Sequence, residues 1–323
     1  MGPFPYIFNL LLEVSSDNNF CVFKSIEDIF YLVYSYKKHI ISYNLMDMKI
    51  QNKINITILY NKRSPYENHR IIIKHSLDKK NKIDFLLVLI IPGVLIINFN
   101  TLEFLFYLDI YGYTGCLFFD NNKIYCYTHT NFSTDKFIDL KEMKSKEFSS
   151  KETYFCDSYY NDNKGESYII LGKEHNIKSY ICSSGNIKIY REFSEGIGVQ
   201  PTFALIKKEK EITKLFDSSD DGYIRIWNFH TGELLSKIFI QKISRVLGFE
   251  ILDDKYIICG STKNILEIFD IETKKFIKRV EGFSFMNPPC IKVINIPNVA
   301  QYLISKCNNT GRIKIIKILK IYK

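Results

Sequence analysis

Side chains able to do chemistry are plentiful in this chain, but their spacing assembles none of them into a recognisable reactive group. Eight cysteines, Cys21, Cys116, Cys126, Cys156, Cys182, Cys259, Cys290 and Cys307, are candidate nucleophiles or metal ligands. They are scattered, with no Cys-x-x-Cys and no close Cys/His pair, so no zinc site is expected. Most lie in apolar, strand-like runs, where a cysteine serves as a small buried hydrophobe. The six histidines, His39, His69, His75, His129, His175 and His230, are equally dispersed. A catalytic histidine needs a partner within hydrogen-bond reach, so each reads as a turn or surface residue. Asp220-Asp221 and Asp253-Asp254 read as turn chemistry, because neighbouring residues on an extended strand point to opposite faces. There is no Gly-x-Ser-x-Gly, no phosphate-binding loop and no His-Glu-x-x-His, and Gly196-Ile197-Gly198 is too short to cradle a phosphate. The expectation is a protein that is not an enzyme and carries no catalytic residues, metal or cofactor.

The elements that would position any site are therefore the informative part. With 323 residues, 46% apolar and 24% charged, the chain has the composition of a soluble globular protein with ample core. The formal charge of +9 favours an acidic partner, although Lys, Asn, Ile and Tyr abound throughout, as a biased coding composition would produce. The start, Met1-Gly2-Pro3-Phe4-Pro5, lacks the basic residues of a signal peptide, and Asn9 and Glu13 interrupt the apolar segment Tyr6 to Val14. An intracellular, cytoplasmic location is expected. The most apolar run, Phe85 to Ile97, is shorter than the roughly 20 residues of a spanning helix and is split by Pro92-Gly93. It reads as two buried strands joined by a tight turn. The glycosylation triplets at Asn55, Asn131 and Asn308 are expected by chance in an Asn-rich chain.

Internal repetition decides the fold. The strand Ile224-Arg225-Ile226-Trp227-Asn228 aligns with six others, which place Tyr43, Ile97, Ile138, Tyr180, Phe269 and Ile316 in the position of Trp227. The spacing is 41 to 54 residues, against roughly 40 to 45 for a unit of four short strands. In the clearest unit the expected strands are Thr202 to Ile206, Ile212 to Ser218, Tyr223 to Phe229 and Glu233 to Ile240. Asp221-Gly222 supplies the turn between the second and third, and Thr231-Gly232 the next. The following unit reads as Val246 to Leu252, Tyr256 to Ser261, Ile265 to Ile271 and Phe276 to Val280. Period-two patterns dominate and helical ones are nearly absent.

Asp220-Asp221-Gly222-x-Ile-x-Ile-Trp227-Asn228 followed by Thr231-Gly232-Glu233-Leu234-Leu235 resembles the WD-repeat β-propeller family. Phe269-Asp270 with Glu272-Thr273 is a fair second match, and the other units are degenerate. The resemblance is strongest over Pro201 to Gly282, extends over Glu152 to Lys323, and rests on spacing before that. It implies an all-β fold: one domain, residues 1–323, forming a seven-bladed propeller of four-stranded antiparallel blades, with six or eight blades as alternatives. Asp221, Gly222, Trp227 and Gly232 are its structural signature. Family blades often carry a Gly-His whose histidine joins a hydrogen-bond relay through Ser/Thr and Asp to the Trp. No Gly-His occurs here, so the relay involving Ser218 or Ser219, Asp221 and Trp227 is incomplete, and packing is expected to define the blade.

Too few residues follow Arg312 to Ile318 for another strand, whereas Tyr6 to Val14 has no blade of its own. The N-terminal segment is therefore expected to close the ring as the outer strand of the last blade. The competing reading is a short terminal helix, with Lys314, Lys317, Lys320 and Lys323 on one face.

A propeller exposes loop faces suited to docking, so the function expected is a protein-protein interaction scaffold or adaptor, a monomeric ring within a larger complex. Lys37, Lys38, Lys62, Arg63, Arg70 and Arg312 fall in turns on one face and form the candidate patch for an acidic protein or peptide. An RNA- or ribosome-associated propeller using a basic face is the alternative, although no motif marks nucleic-acid binding. An enzyme with a site in the central channel is the third.

Overall fold

Alternating Ile, Val, Tyr and Phe between short polar turns commits this chain to strands. The computed structural model describes residues 5–16, 20–57, 71–90, 93–110, 114–120, 123–129, 135–149, 153–162, 164–183, 186–196, 199–209, 212–240, 246–261, 265–280, 291–307 and 311–320. Its described strands number 28 and form seven four-stranded antiparallel sheets, divided between two units, residues 17–198 and residues 1–16 with 199–323.

The 17–198 unit contains four sheets. The first orders β2 (Phe20–Lys24), β3 (Phe30–Tyr36), β4 (His39–Asn44) and β5 (Lys49–Asn55), and the second β6 (Ile71–Asp78), β7 (Ile83–Ile90), β8 (Gly93–Asn98) and β9 (Glu103–Leu108). The third comprises β10 (Thr114–Asp120), β11 (Lys123–His129), β12 (Asp135–Asp139) and β13 (Lys144–Ser149), and the fourth β14 (Phe155–Asn161), β15 (Glu166–Gly172), β16 (Ile177–Ser183) and β17 (Asn186–Phe193). The sheets pack face to face. On β7, Leu86, Val88 and Ile90 join the core shared with the first sheet, and Phe85, Leu87 and Leu89 the core shared with the third. A strand buried on both faces needs an unbroken apolar run, which is why this stretch is the most apolar of the chain.

The other unit holds β18 (Pro201–Glu209), β19 (Ile212–Ser219), β20 (Tyr223–Asn228) and β21 (Leu234–Phe239), then β22 (Val246–Leu252), β23 (Tyr256–Ser261), β24 (Leu266–Asp270) and β25 (Phe276–Val280). Its third sheet has β26 (Ile291–Ile296), β27 (Ala300–Cys307) and β28 (Arg312–Lys320), with β1 (Tyr6–Ser15) as the outer strand beside β28. The expected N-terminal strand is thus present. The terminal helix is not, because Lys314, Lys317 and Lys320 lie on β28, where β-branched isoleucines favour a strand. The strands of the clearest unit differ from expectation mainly at their ends. β18 extends to Glu209 because Lys207, Lys208 and Glu209 keep pairing with β19.

All seven residues aligned with Trp227 lie on third strands, and the geometry there repeats more faithfully than the sequence. In six sheets the pairing of third and fourth strands skips one residue beside this position: Gln51, Leu105, Tyr190, Leu235, Ile277 and, on β1, Leu11. In the third sheet the irregularity lies at Asp135 instead. Such a bulge bends the outer strand and increases its twist.

The next residue is Asn or Asp in five sheets: Asn44, Asn98, Asp139, Asn228 and Asp270. Its Oδ1 accepts amide hydrogen bonds from residues two and three further on, for example His230 N at 3.0 Å and Thr231 N at 3.2 Å onto Asn228. Four residues after it the backbone turns left-handed. Gly232 has φ 81°, and its counterparts Met48, Leu102, Met143 and Lys274 have φ 56°, 62°, 52° and 59°. Only one of the five hairpins uses the glycine that this conformation favours.

Two predictions follow from this geometry. Met143 is 57% exposed, so Met143→Gly relieves left-handed strain without losing packing; it should stabilise by about 0.5–1 kcal/mol, and Gly232→Ala should destabilise by a similar amount in denaturant titrations. Deleting residues 1–15 uncovers the β28 edge and the core under Tyr6, and should lower Tm by on the order of 10 °C. A truncated protein melting like the intact chain would refute the second.

Candidate functional site

Three polar centres are built from buried side chains, and two of them carry no motif in the sequence. In the best blade, Trp227 donates its Nε1 hydrogen to Asp217 Oδ2 on the neighbouring strand β19. Arg225, only 2% exposed, lies between three acceptors: Nη1 donates to Ser219 Oγ at 2.5 Å, Nη2 pairs with Asp221, and Asp217 lies 3.9 Å away. Asp221 Oδ1 also accepts Ser219 Oγ at 2.5 Å and the Tyr223 amide at 3.1 Å. The expected dependence on packing alone is therefore corrected. The blade has a polar tie, built around an arginine and the second-strand Asp217 in place of a Gly-His. Separately, Thr202 Oγ1, 2.9 Å from Ser218 Oγ, donates to the carbonyl of Val246 in the next sheet at 2.6 Å.

The second centre is Asp135, fully buried at the start of β12. It pairs with His129 Nδ1 at 2.9 Å, accepts Tyr127 Oη at 2.7 Å and Thr153 Oγ1 at 3.1 Å, and forms an ion pair with Lys173. Thr153 and Lys173 flank strands of the fourth sheet, so one carboxylate ties two blades. Burial pushes the Asp135 carboxyl up, but the hydrogen bonds from His129, Lys173 and Tyr127 hold it below the usual Asp value.

The third centre is Asp84, also fully buried, with His75 Nε2 at 2.7 Å and the Ile26 amide at 2.9 Å. Here too burial raises the carboxyl, and the bonds from His75, Ile26 and Asn100 bring it below its ordinary value. The His75 ring stacks on Phe23 of the first sheet, 3.7 Å between centroids, and burial lowers its pKa against the opposing pull of Asp84. His75 and His129 are thus core partners of carboxylates rather than turn or surface residues. A strand position facing another sheet cannot be told from an exposed one by sequence spacing alone. Cys116, Cys126, Cys156, Cys182 and Cys259 are buried free thiols, as expected of small apolar residues, with Cys21 half-buried. Among the described residues no group of three or more His, Cys, Asp or Glu is placed to hold a metal ion.

Of the basic patch, Lys37 and Lys38 form the tight turn between β3 and β4, both exposed and both left-handed, with φ 46° and 63°. Two left-handed residues match the twist of a hairpin, though Gly and Asn are the usual occupants. His39 Nδ1 donates to Lys37 O at 2.8 Å and the Ile56 amide to Lys38 O at 2.9 Å, so the turn is fastened at both ends. Arg312, exposed in the other unit, donates to Glu13 at 3.1 Å. Lys62, Arg63 and Arg70 lie outside the described residues. At the opposite end of the 17–198 sheets is a pocket of about 220 Å³ lined by Lys79, Lys80, Phe119, Asp120 and Tyr160 among others. Lys79 reaches across to both oxygens of Asp162, at 2.6 and 2.7 Å.

Comparison with known proteins bears on the fold. No protein-family model and no curated protein sequence matches the chain. Among solved structures, it is similar to Raptor from Chaetomium thermophilum, with a TM-score of 0.69 and 10% identity over 98% of this chain. The fold is a β-propeller. The likeness covers 30% of that Raptor chain, so this chain spans about a third of the length of the protein it matches. At such low identity the similarity concerns the propeller architecture alone. No helix among the described residues is long and apolar enough to cross a membrane.

The buried acids set the acid stability of the propeller. A carboxyl whose folded pKa lies below its unfolded value of about 4 contributes stability that is complete above pH 4 and is lost as pH falls through the folded value. Asp135→Asn leaves Lys173 buried without its counter-charge and should cost about 3–5 kcal/mol at pH 7. Urea titrations at pH 7 and pH 3 should show the variant losing less stability on acidification than the wild type; equal losses would exclude Asp135 as a source of acid sensitivity.

Proposed function

We propose that the chain is a degenerate WD-repeat propeller acting inside the cell as a non-catalytic scaffold or adaptor, and that it docks an acidic protein or peptide on the turn face carrying Lys37 and Lys38. The observation that carries this reading is a pair of adjacent exposed cations on an anchored turn. Buried Asp84, Asp135 and Asp217 are occupied by donors of the fold itself, so they serve the architecture. Lys37 and Lys38 are exposed at the tip of a hairpin anchored by His39 and Ile56. Adjacent cations on a rigid turn contribute to long-range steering and lose little entropy on binding. The formal charge of +9 works in the same direction. The propeller likeness to part of Raptor supports an interaction role only at the level of architecture.

Affinity purification from lysate, comparing wild type with Lys37→Glu/Lys38→Glu, tests the proposal. The charge reversal should remove acidic partners while leaving Tm within a few degrees, because both side chains are exposed. Unchanged recovery would dispose of this face as the docking surface. Recovery that vanishes with ribonuclease, together with salt-sensitive ribosome co-sedimentation, would replace the protein partner with RNA.

A further inference from the structure

The first strands of three successive blades bring a lysine, a threonine and two cysteines to one place in the 17–198 unit. Lys74 comes from β6, Thr114 and Cys116 from β10, and Cys156 from β14. Cys156 Sγ lies 3.3 Å from Thr114 Oγ1 and 3.8 Å from Lys74 Nζ, and Cys116, two residues along β10 from Thr114, packs in the same buried cluster as Cys156. Lys74 is held in position because its ammonium also donates to the Cys156 carbonyl. Cys116 and Cys156 are 1% and 2% exposed.

The Asp157 carboxylate already acts on the Lys74 ammonium, and a thiol within 4 Å is a second group that can carry negative charge beside it by ionising. Burial pushes both thiols up. For Cys156 the hydrogen bond from Cys116, the charge of Lys74 and the hydroxyl of Thr114 outweigh burial and bring it below the usual thiol range. Cys116 stays well above it, through burial and its position beside Cys156. The Thr114 hydroxyl and the Lys74 ammonium both stand beside the Cys156 sulfur, where each favours its thiolate. Elsewhere the pattern differs: the thiols of Cys126 and Cys259 donate to main-chain carbonyls, and burial raises both.

We propose that Cys156 is a hydroperoxide-reactive thiol with Cys116 as its resolving partner, so that oxidation joins the first strands of the third and fourth blades through a Cys116–Cys156 disulfide. The Cys156 thiolate attacks the distal oxygen of the hydroperoxide. A sulfur–oxygen bond forms, the oxygen–oxygen bond breaks, and the departing alkoxide or hydroxide takes a proton from the Lys74 ammonium. The resulting amine accepts the Cys116 proton. Cys116 sulfur then attacks Cys156 sulfur, and the hydroxyl leaves as water with the proton from Lys74. Two thiols and one hydroperoxide thus yield one disulfide, one alcohol or water from the peroxide, and one water.

The full-length protein, exposed to equimolar hydrogen peroxide and then alkylated, tests this by peptide mapping. The expected product is a Cys116–Cys156 cross-linked peptide about two mass units lighter than the reduced pair. In Cys116→Ser the reaction should stop at a sulfenic acid on Cys156, trapped by dimedone, and Cys156→Ser should form neither product. Lys74→Met keeps the buried stem and should slow the reaction about tenfold. The wild-type map decides the matter even if a variant fails to fold. Oxidation of half-buried Cys21 ahead of an intact Cys116 and Cys156 pair would overturn the proposal, as would Lys74→Met reacting at the wild-type rate.

Discussion

Everything in this propeller depends on how each third strand is held between its neighbours. The third strand carries the buried Trp, Tyr, Phe or Ile that fills the space between sheets. The bulge opposite it lets the outer strand bend away without losing the ladder. The Asn or Asp that follows stops the strand by offering its side chain to the next amides. Because these parts act on the backbone, they tolerate wide sequence change. Hydrophobic burial supplies the bulk of the stabilisation, and the repeated local geometry sets the length of each sheet.

Within each unit, buried polar ties couple neighbouring blades in a way apolar packing cannot. Asp135 joins the third blade to the fourth through Lys173 and Thr153, and Asp84 joins the second to the first through Ile26. Leaving any of these groups unpartnered is costly, which disfavours alternative registers between sheets.

Much of this was legible in the chain itself, for definite reasons. The third strands could be found because residues such as Ile96, Ile226 and Ile268 face packed neighbours and must stay apolar. Counting strands showed that Tyr6 to Val14 was needed by the last blade. Gly222 and Gly232 marked their turns because their φ values of 80° and 81° suit glycine. The equivalent turns at Met48, Leu102, Met143 and Lys274 gave no such signal, since the Asx hydrogen bonds and the ladders on either side impose the same φ on ordinary residues. The centres at Asp135 and Asp84 were hidden because their members come from different sheets: Asp135 and Lys173 are 38 residues apart and Ile26 and Asp84 58, and no periodicity links them. Of the basic patch, the described residues place Lys37 and Lys38 together on a turn, while Arg312 is engaged with Glu13.

The β1–β28 ladder also determines how the chain responds to force. Tyr6 pairs with Lys320 and Ser15 with Arg312, so the segments entering β1 and leaving β28 emerge at the same end of the ladder. Tension applied through them loads one hydrogen-bonded pair at a time, peeling the two strands like a zip instead of shearing the whole ladder at once. The same ten-residue strand that completes the last sheet is thus the one whose hydrogen bonds such a pull would reach first.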